Sequence, residues 1–151
     1  MPRIYTRSVE VTPEAIDANG HVNNLEYLRW MQEVATAHSA AQGWPVERYL
    51  ATGLSWFVRS HFIEYVSPAF EGDTLSIYTW VKGMGSRSSP RRYLFWREHD
   101  GKAIARAETL WVFVDMRTGR PHQVPPELRD AFPVIPTDDE ALSELGLAAN
   151  V

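Results

Sequence analysis

Asp17, Asn19 and His21 set a carboxylate, an amide and an imidazole at alternating positions of the segment Asp17-Ala18-Asn19-Gly20-His21-Val22-Asn23-Asn24. An amphipathic stretch from Leu25 to Gln42 follows at once. A base or nucleophile therefore stands beside a helix N-terminus, where the first backbone N–H groups have no partner within the helix. That combination suits acyl transfer. The carboxylate can attack a carbonyl or activate water, and the N–H groups can hold the oxyanion that develops.

Each residue also has a structural reading. Asp often closes a turn by bonding to nearby backbone, but Asp17 beside Asn19, His21 and a helix start favours catalysis. Asn19 suits either a left-handed turn position or a group that orients water or Asp17. His21 can fix the loop, position Asp17 or contact the carbonyl. Gly20 permits an unusual φ or a close backbone approach. Asn24 offers the most favourably placed oxyanion donor, its backbone N–H, reinforced by the helix dipole.

The elements that must hold this segment are legible. Ile4 to Val11 alternates and reads as a strand, ended by Thr12-Pro13. Asn23 suits a helix N-cap, with Glu26 three residues on as in a capping box and Val22 and Tyr27 placed as a staple. Leu28, Met31, Val34, Ala35, His38 and Ala41 recur at helical spacing, and Leu25 and Trp30 widen the apolar surface, so the helix is expected to be largely buried. Gly43 and Pro45 stop it. Strands follow over Trp56 to Val66, Leu75 to Val81, Arg92 to His99 and Ala103 to Asp115, the last two joined at Asp100-Gly101 as a two-residue hairpin turn. A short helix fits Pro126 to Phe132. The order is α+β: one long helix packed on a mainly antiparallel five-stranded sheet. Residues 1–133 make this domain, and 134–151 read as a mobile acidic tail.

Composition narrows the function. The 151 residues fit one domain with a real core. A net charge of −4 argues against a nucleic-acid binder. The absence of cysteine excludes disulfides, thiolate metal sites and a cysteine nucleophile. His21 and His38 lack a neighbouring ligand pattern, so no metal is expected, and no cofactor is implied. No window reaches the roughly 18 apolar residues of a membrane span, and the first residues lack a secretory signal. The expectation is a cytoplasmic protein without membrane or nucleic-acid partners. There is no P-loop or dinucleotide fingerprint, so nucleotide hydrolysis is unsupported.

Between Lys82 and Arg106, seven basic residues against two acidic ones leave a local charge of +5. This is either a solvated strand surface or a site for a phosphorylated partner, since guanidinium forks match phosphate oxygens. Tyr27 and Trp30, one turn inside the helix, are the best-placed aromatic residues to line an acyl pocket; Trp56, Phe57, Tyr65 and the other aromatics read mainly as core. Glu33 on the helix is a reserve carboxylate.

The run Asp17-x-Asn19-x-His21-Val22-Asn23-Asn24-x-x-Tyr27 resembles the active-site segment of hotdog-fold acyl thioesterases. It is similar to the catalytic half of plant acyl-ACP thioesterases and to bacterial acyl-CoA thioesterases related to 4-hydroxybenzoyl-CoA thioesterase. The likeness extends through Glu64-Tyr65, Gly72-Asp73-Thr74-Leu75 and Val114-Asp115, so it covers residues 4 to 132. It implies a single hotdog domain, a long central helix wrapped by a curved sheet, working as a homodimer or tetramer with active sites at the subunit interface. It implies hydrolysis of an acyl-CoA or acyl-ACP, as in fatty acid metabolism, with Asp17 catalytic and Asn19, His21 and Asn24 assisting. It also makes Ser86, Arg87, Ser88, Arg91 and Arg92 candidate contacts for the phosphates of CoA or of a carrier's phosphopantetheine. The plant pattern carries a further acid after its Glu-Tyr pair; here Val66-Ser67-Pro68-Ala69 has none, which moves the weight to Asp17 alone. Two alternatives remain: a hydratase or dehydratase of the same fold, whose Asp-x-Asn-Pro-x-His pattern is one residue longer and has a proline absent here, and a non-catalytic acyl-binding protein.

Overall fold

The computed structural model describes residues 3–147. Strands β1 (Ile4–Glu10), β2 (Leu54–Tyr65), β3 (Thr74–Val81), β4 (Ser88–Arg97) and β5 (Lys102–Asp115) form one sheet in the order β1-β3-β4-β5-β2. Every neighbouring pair is antiparallel. The helices are α1 (Asn24–Ala41), α2 (Val46–Thr52), α3 (Pro126–Asp130) and α4 (Asp138–Leu145). A long helix enclosed by a curved antiparallel sheet is the hotdog arrangement that the sequence implied.

The period of two along the strands sorts the two faces. Leu75, Ile77, Tyr93 and Phe95 point to α1 and join Tyr27, Trp30, Met31 and Val34 in one core. Trp80, Leu94 and Trp96 point the other way, where Ala141 and Leu142 of α4 cover them. α1 starts where expected: the Asn23 side chain accepts from the N–H of Leu25 at 2.9 Å. The reciprocal half of a capping box does not form, because the N–H of Asn23 donates to the Ala15 carbonyl at 2.7 Å.

Several expectations need correction. The acidic stretch after Phe132 is not a free tail as far as it is described: α4 is capped by the Thr137 hydroxyl and docked by Ala141 and Leu142. Arg3 holds Glu140 and Glu144, and Arg92 holds Asp138. The apolar outer face of the sheet supplies the reason, since it needs a cover; residues 148–151 lie outside the described residues. Helix α2 is too short for a periodic signal, yet it buries Tyr49 beside Trp44. β4 begins at Ser88, four residues before the sequence suggested, because a Ser-Ser-Pro-Arg run hides the strand. Glu98 to Gly101 form a four-residue connection, not a two-residue turn, and Arg97 closes it by binding both oxygens of Asp100. Leu25 is 70% exposed and Phe57 47% exposed, so neither belongs to the core.

Candidate active site

Asp17 sits at the neck of a tight loop. Ile16 and Val22 pair as an antiparallel bridge. The Asp17 N–H donates to the His21 carbonyl at 2.8 Å, and the Gly20 N–H to the Asp17 carbonyl at 3.1 Å. The loop turns at Gly20, whose φ of +80° is strained for any side chain. Asn19 does not take the left-handed position; Gly20 does.

The half-buried Asp17 carboxylate is held on one oxygen only. Its Oδ1 accepts from the backbone N–H of Asn19 at 2.9 Å and that of His21 at 3.4 Å. Among the described residues, no protein group donates to Oδ2. Asn19 and His21 thus anchor Asp17 through backbone, not through side chains. Their side chains are free to face outward: Asn19, His21 and Asn24 are all exposed. The His21 ring meets Phe70 edge-on, with centroids 5.4 Å apart.

Two further hydrogen bonds fix the loop to the fold. Val22 donates to the Ala69 carbonyl at 3.0 Å, and Asn23 to Ala15. The chain then becomes α1, with Asn24 its first residue. Among the described residues the Asn24 N–H meets no acceptor, as helix geometry requires at this position. An anchored carboxylate and an open helix N-terminus are therefore seven residues apart in sequence and joined by one short loop.

Behind this loop lies a clamp that the sequence reading placed only in a basic patch. Arg97, buried at 6% exposure, donates to Asp73 Oδ2 at 2.9 Å and to the Pro68 carbonyl at 3.1 Å. Asp73 Oδ2 also accepts from the N–H of Phe70 at 3.0 Å. The segment 66–73, which carries Ala69 and Phe70 to the loop, is thereby tied to the end of β4. The signal available in sequence was Asp73 after Gly72, read only as a strand start.

Other predicted site residues go elsewhere. Tyr27 and Trp30 are 3% and 5% exposed and pack in an aromatic cluster with Phe95 and the exposed Tyr65. Burial, reinforced by Tyr65, pushes the Tyr27 hydroxyl up to about 12. Arg91 is buried, donating to His38 and Thr79, and does not join the exposed Ser86 and Arg87 at the loop. Arg92 is on the opposite face, paired with Asp138 and Glu108. Alternation along β4 explains both placements. Ser86 and Arg87 are exposed and Ser88 half-buried. Their loop is tied down where Arg87 and Ser86 carbonyls accept from Phe113 and Val124. It lies at the far end of β4 from Arg97 and Asp17, about 30 Å away along a ten-residue strand. One protomer does not bring this loop to Asp17. Glu33 is held by Arg29 at 2.8 Å.

The rim of the site is apolar. Leu25, Tyr65, Val66 and Phe70 are all at least 42% exposed. Among the described residues no group of three His, Asp or Glu side chains is placed to hold a metal, and no helix is long and apolar enough to cross a membrane.

The sequence matches the model of the thioesterase-like superfamily over residues 11–132. It is 33% identical to a palmitoyl-acyl carrier protein thioesterase from Cuphea hookeriana across 94% of this chain, but spans only 38% of that relative's length. It is 25% identical to a long-chain acyl-CoA thioesterase from Escherichia coli, over 81% of this chain and 92% of that protein. Its fold is similar to that of a 1,4-dihydroxy-2-naphthoyl-CoA thioesterase from Synechocystis, with a TM-score of 0.78 at 17% identity, covering 85% of this chain and 95% of the other.

Proposed function

The chain belongs to the thioesterase-like superfamily, and on that premise we propose that it hydrolyses acyl thioesters of CoA or of acyl carrier protein at the Asp17–Asn24 loop. The observation that carries this reading is the Asp17 carboxylate, anchored on Oδ1 by two backbone N–H groups beside the unpaired N–H of Asn24. A thioester carbonyl seated on the start of α1 would have its oxygen at the N–H and its carbon near Oδ2.

Two routes use the same geometry. Asp17 attacks the carbonyl carbon, the C–S bond breaks, the thiolate leaves, and water cleaves the resulting mixed anhydride. Alternatively Asp17 takes a proton from water, hydroxide adds to the carbonyl, and the tetrahedral oxyanion expels the thiolate, which receives the proton. In both routes the negative charge forms at the positive pole of α1. The exposed His21 and Asn19 side chains are positioned to contact water or the substrate. A single-turnover reaction in 18O water separates the routes: water attacking the Asp17 carbonyl of the anhydride leaves the label in Asp17 and the product acid unlabelled, whereas the general-base route places the label in the product.

The proposed working unit is a homodimer. β2 is an edge strand of 12 residues with Phe57 and Phe62 exposed at 47% and 65%, and an exposed apolar edge of that length invites pairing. A two-fold axis pairs identical edges antiparallel about their midpoint, here between Arg59 and Ser60. Leu54 to Val58 of one copy would then lie along His61 to Tyr65 of the other. The Arg87 loop bonds to Phe113, which pairs with Trp56, so this loop would approach the partner's Asp17 site. Such pairing supports a phosphate contact by Ser86, Arg87 and Ser88 in trans. A thiol-release assay across short, long and aromatic acyl-CoAs and acyl-ACPs tests the activity. Turnover supports the reading, and no release from any member, with hydration of an enoyl-CoA instead, would replace it by the hydratase alternative.

A further inference from the structure

A cavity of about 130 Å³ lies between the C-terminal half of α1, helix α2 and the sheet, away from Asp17. Its walls include Trp44, Tyr49, Trp56, Trp111 and Phe132, and the exposed Val46 stands at its edge. An apolar cavity of about 150 Å³ holds benzene, so this one accommodates a group of ring size. In the same protomer it does not continue to the thioester site. Ala35, on its wall, is about 17 Å along the helix from Asn24, and Tyr27, Trp30, Met31 and Val34 fill the core between them.

One charged group lines this apolar space. Arg91 is 6% exposed, and its Nη1 donates to His38 Nδ1 at 2.9 Å and Thr79 Oγ1 at 3.1 Å. Arginine stays protonated in proteins, so Nδ1 of His38 must accept and the imidazole is neutral. Both hydrogen-bond partners of Arg91, His38 and Thr79, are therefore uncharged. Among the described residues, no Asp or Glu pairs with it and its Nε and Nη2 groups find no acceptor. The C-terminal pole of α1 supplies only partial negative charge. A buried cation without an anionic partner is costly, and a cavity beside it gives an anion room to enter.

We propose that this cavity is a binding site for a carboxylate carried on a compact, ring-sized apolar body, with the Arg91 guanidinium as its charge partner. The fork of Nε and Nη2 matches a carboxylate bidentately, and the aromatic walls take the ring. The carboxylate comes from a free acid or from the distal end of an acyl group; the chemistry recognised is the same. The inference does not depend on hydrolysis at Asp17.

Titration calorimetry on the full chain with benzoate and with neutral benzamide tests it, alongside tryptophan fluorescence, since Trp44, Trp56 and Trp111 line the cavity. Benzoate is expected to bind at least about tenfold more tightly than benzamide and to change the fluorescence, as for a charge-assisted bond. Arg91→Gln is expected to remove that preference, and Arg91→Lys to keep part of it. If Arg91→Gln does not fold, the wild-type comparison decides alone. Equal affinity for the two ligands, no binding of either, or benzoate binding undiminished in folded Arg91→Gln would overturn the proposal. To separate the two sources, benzoyl-CoA is compared with its para-carboxylated analogue. A KM raised by Arg91→Gln only for the carboxylated thioester assigns the acyl end; unchanged KM values with lost benzoate binding assign the free acid. An enzyme that turns over no thioester leaves the benzoate result standing.

Discussion

Arg91 and His38 meet in the space between β4 and α1, with Nη1 of Arg91 donating to Nδ1 of His38 at 2.9 Å. The imidazole stacks on Tyr5 at 5.5 Å and meets the edge of Phe132 at 5.6 Å, and its buried Nε2 finds no partner among the described residues. Burial, and then the adjacent Arg91 charge, lower its pKa to about 3. His38 is therefore neutral in the folded protein and gains a proton on unfolding below about pH 6.5.

The sign of the pH effect follows. Between about pH 6.5 and pH 3 the unfolded chain binds the extra proton, so stability is present above this window and is lost as the pH falls through it. Urea unfolding is expected to show a loss on the order of a few kcal/mol between about pH 7 and pH 4. His38→Gln should flatten that slope. An equal slope in both proteins would place the acid sensitivity elsewhere.

Gly20 turns the Asp17 loop at a φ of +80°, and nothing obstructs a methyl group there. Gly20→Ala therefore tests backbone strain without a clash. It should cost about 1 kcal/mol in folding free energy. It should lower kcat more than stability alone explains, because the two N–H groups holding Asp17 flank this residue. Thermal melting and steady-state rates on one preparation separate the effects.

Much of this was legible from sequence for a physical reason. The Asn23 cap, the Gly20 turn and the strands other than β4 are local decisions, made by residues within a few positions of one another. The docking of α4, the burial of Arg91 and the clamp of Arg97 on Asp73 were not legible, because each joins residues at least twelve positions apart. Charge count misled for the same reason. The basic segment 82–106 reads as a surface patch, yet Arg91 and Arg97 are in the interior and Lys82 and Arg92 have acidic partners from other segments. The sequence places Asp17 ahead of the start of α1, but the groups that hold it are the backbone N–H groups of Asn19 and His21, which no side-chain pattern reveals.

The Arg97 clamp predicts that the site depends on Asp73. Asp73→Asn leaves Arg97, 7% exposed in its side chain, without one of its two carboxylates. The expected cost is about 2 kcal/mol or more of stability. Loosening of 66–73 should also raise KM, since Ala69 and Phe70 border the loop. Denaturant unfolding and Michaelis kinetics check the two parts.

The proposed edge pairing of β2 predicts that Phe62→Glu yields a monomer. Phe62 is 65% exposed on the isolated chain, so a charge there should leave the protomer fold intact. Across the two-fold pair it would lie opposite Phe57 of the other copy, where the carboxylate would lose water without gaining a partner. Sedimentation velocity should show the wild type as a dimer or larger and the variant at half that mass or less, with turnover reduced at least about tenfold.

The most direct measurement compares Asp17→Asn with the wild type on the best acyl thioester. Asparagine keeps the size of the side chain and the oxygen that accepts from Asn19 and His21, so the loop should hold and the melting temperature should match. Loss of the carboxylate should lower kcat by at least about 100-fold, with KM changed little. Turnover within about tenfold of wild type in the folded variant would contradict a catalytic role for Asp17 and with it the account of this site.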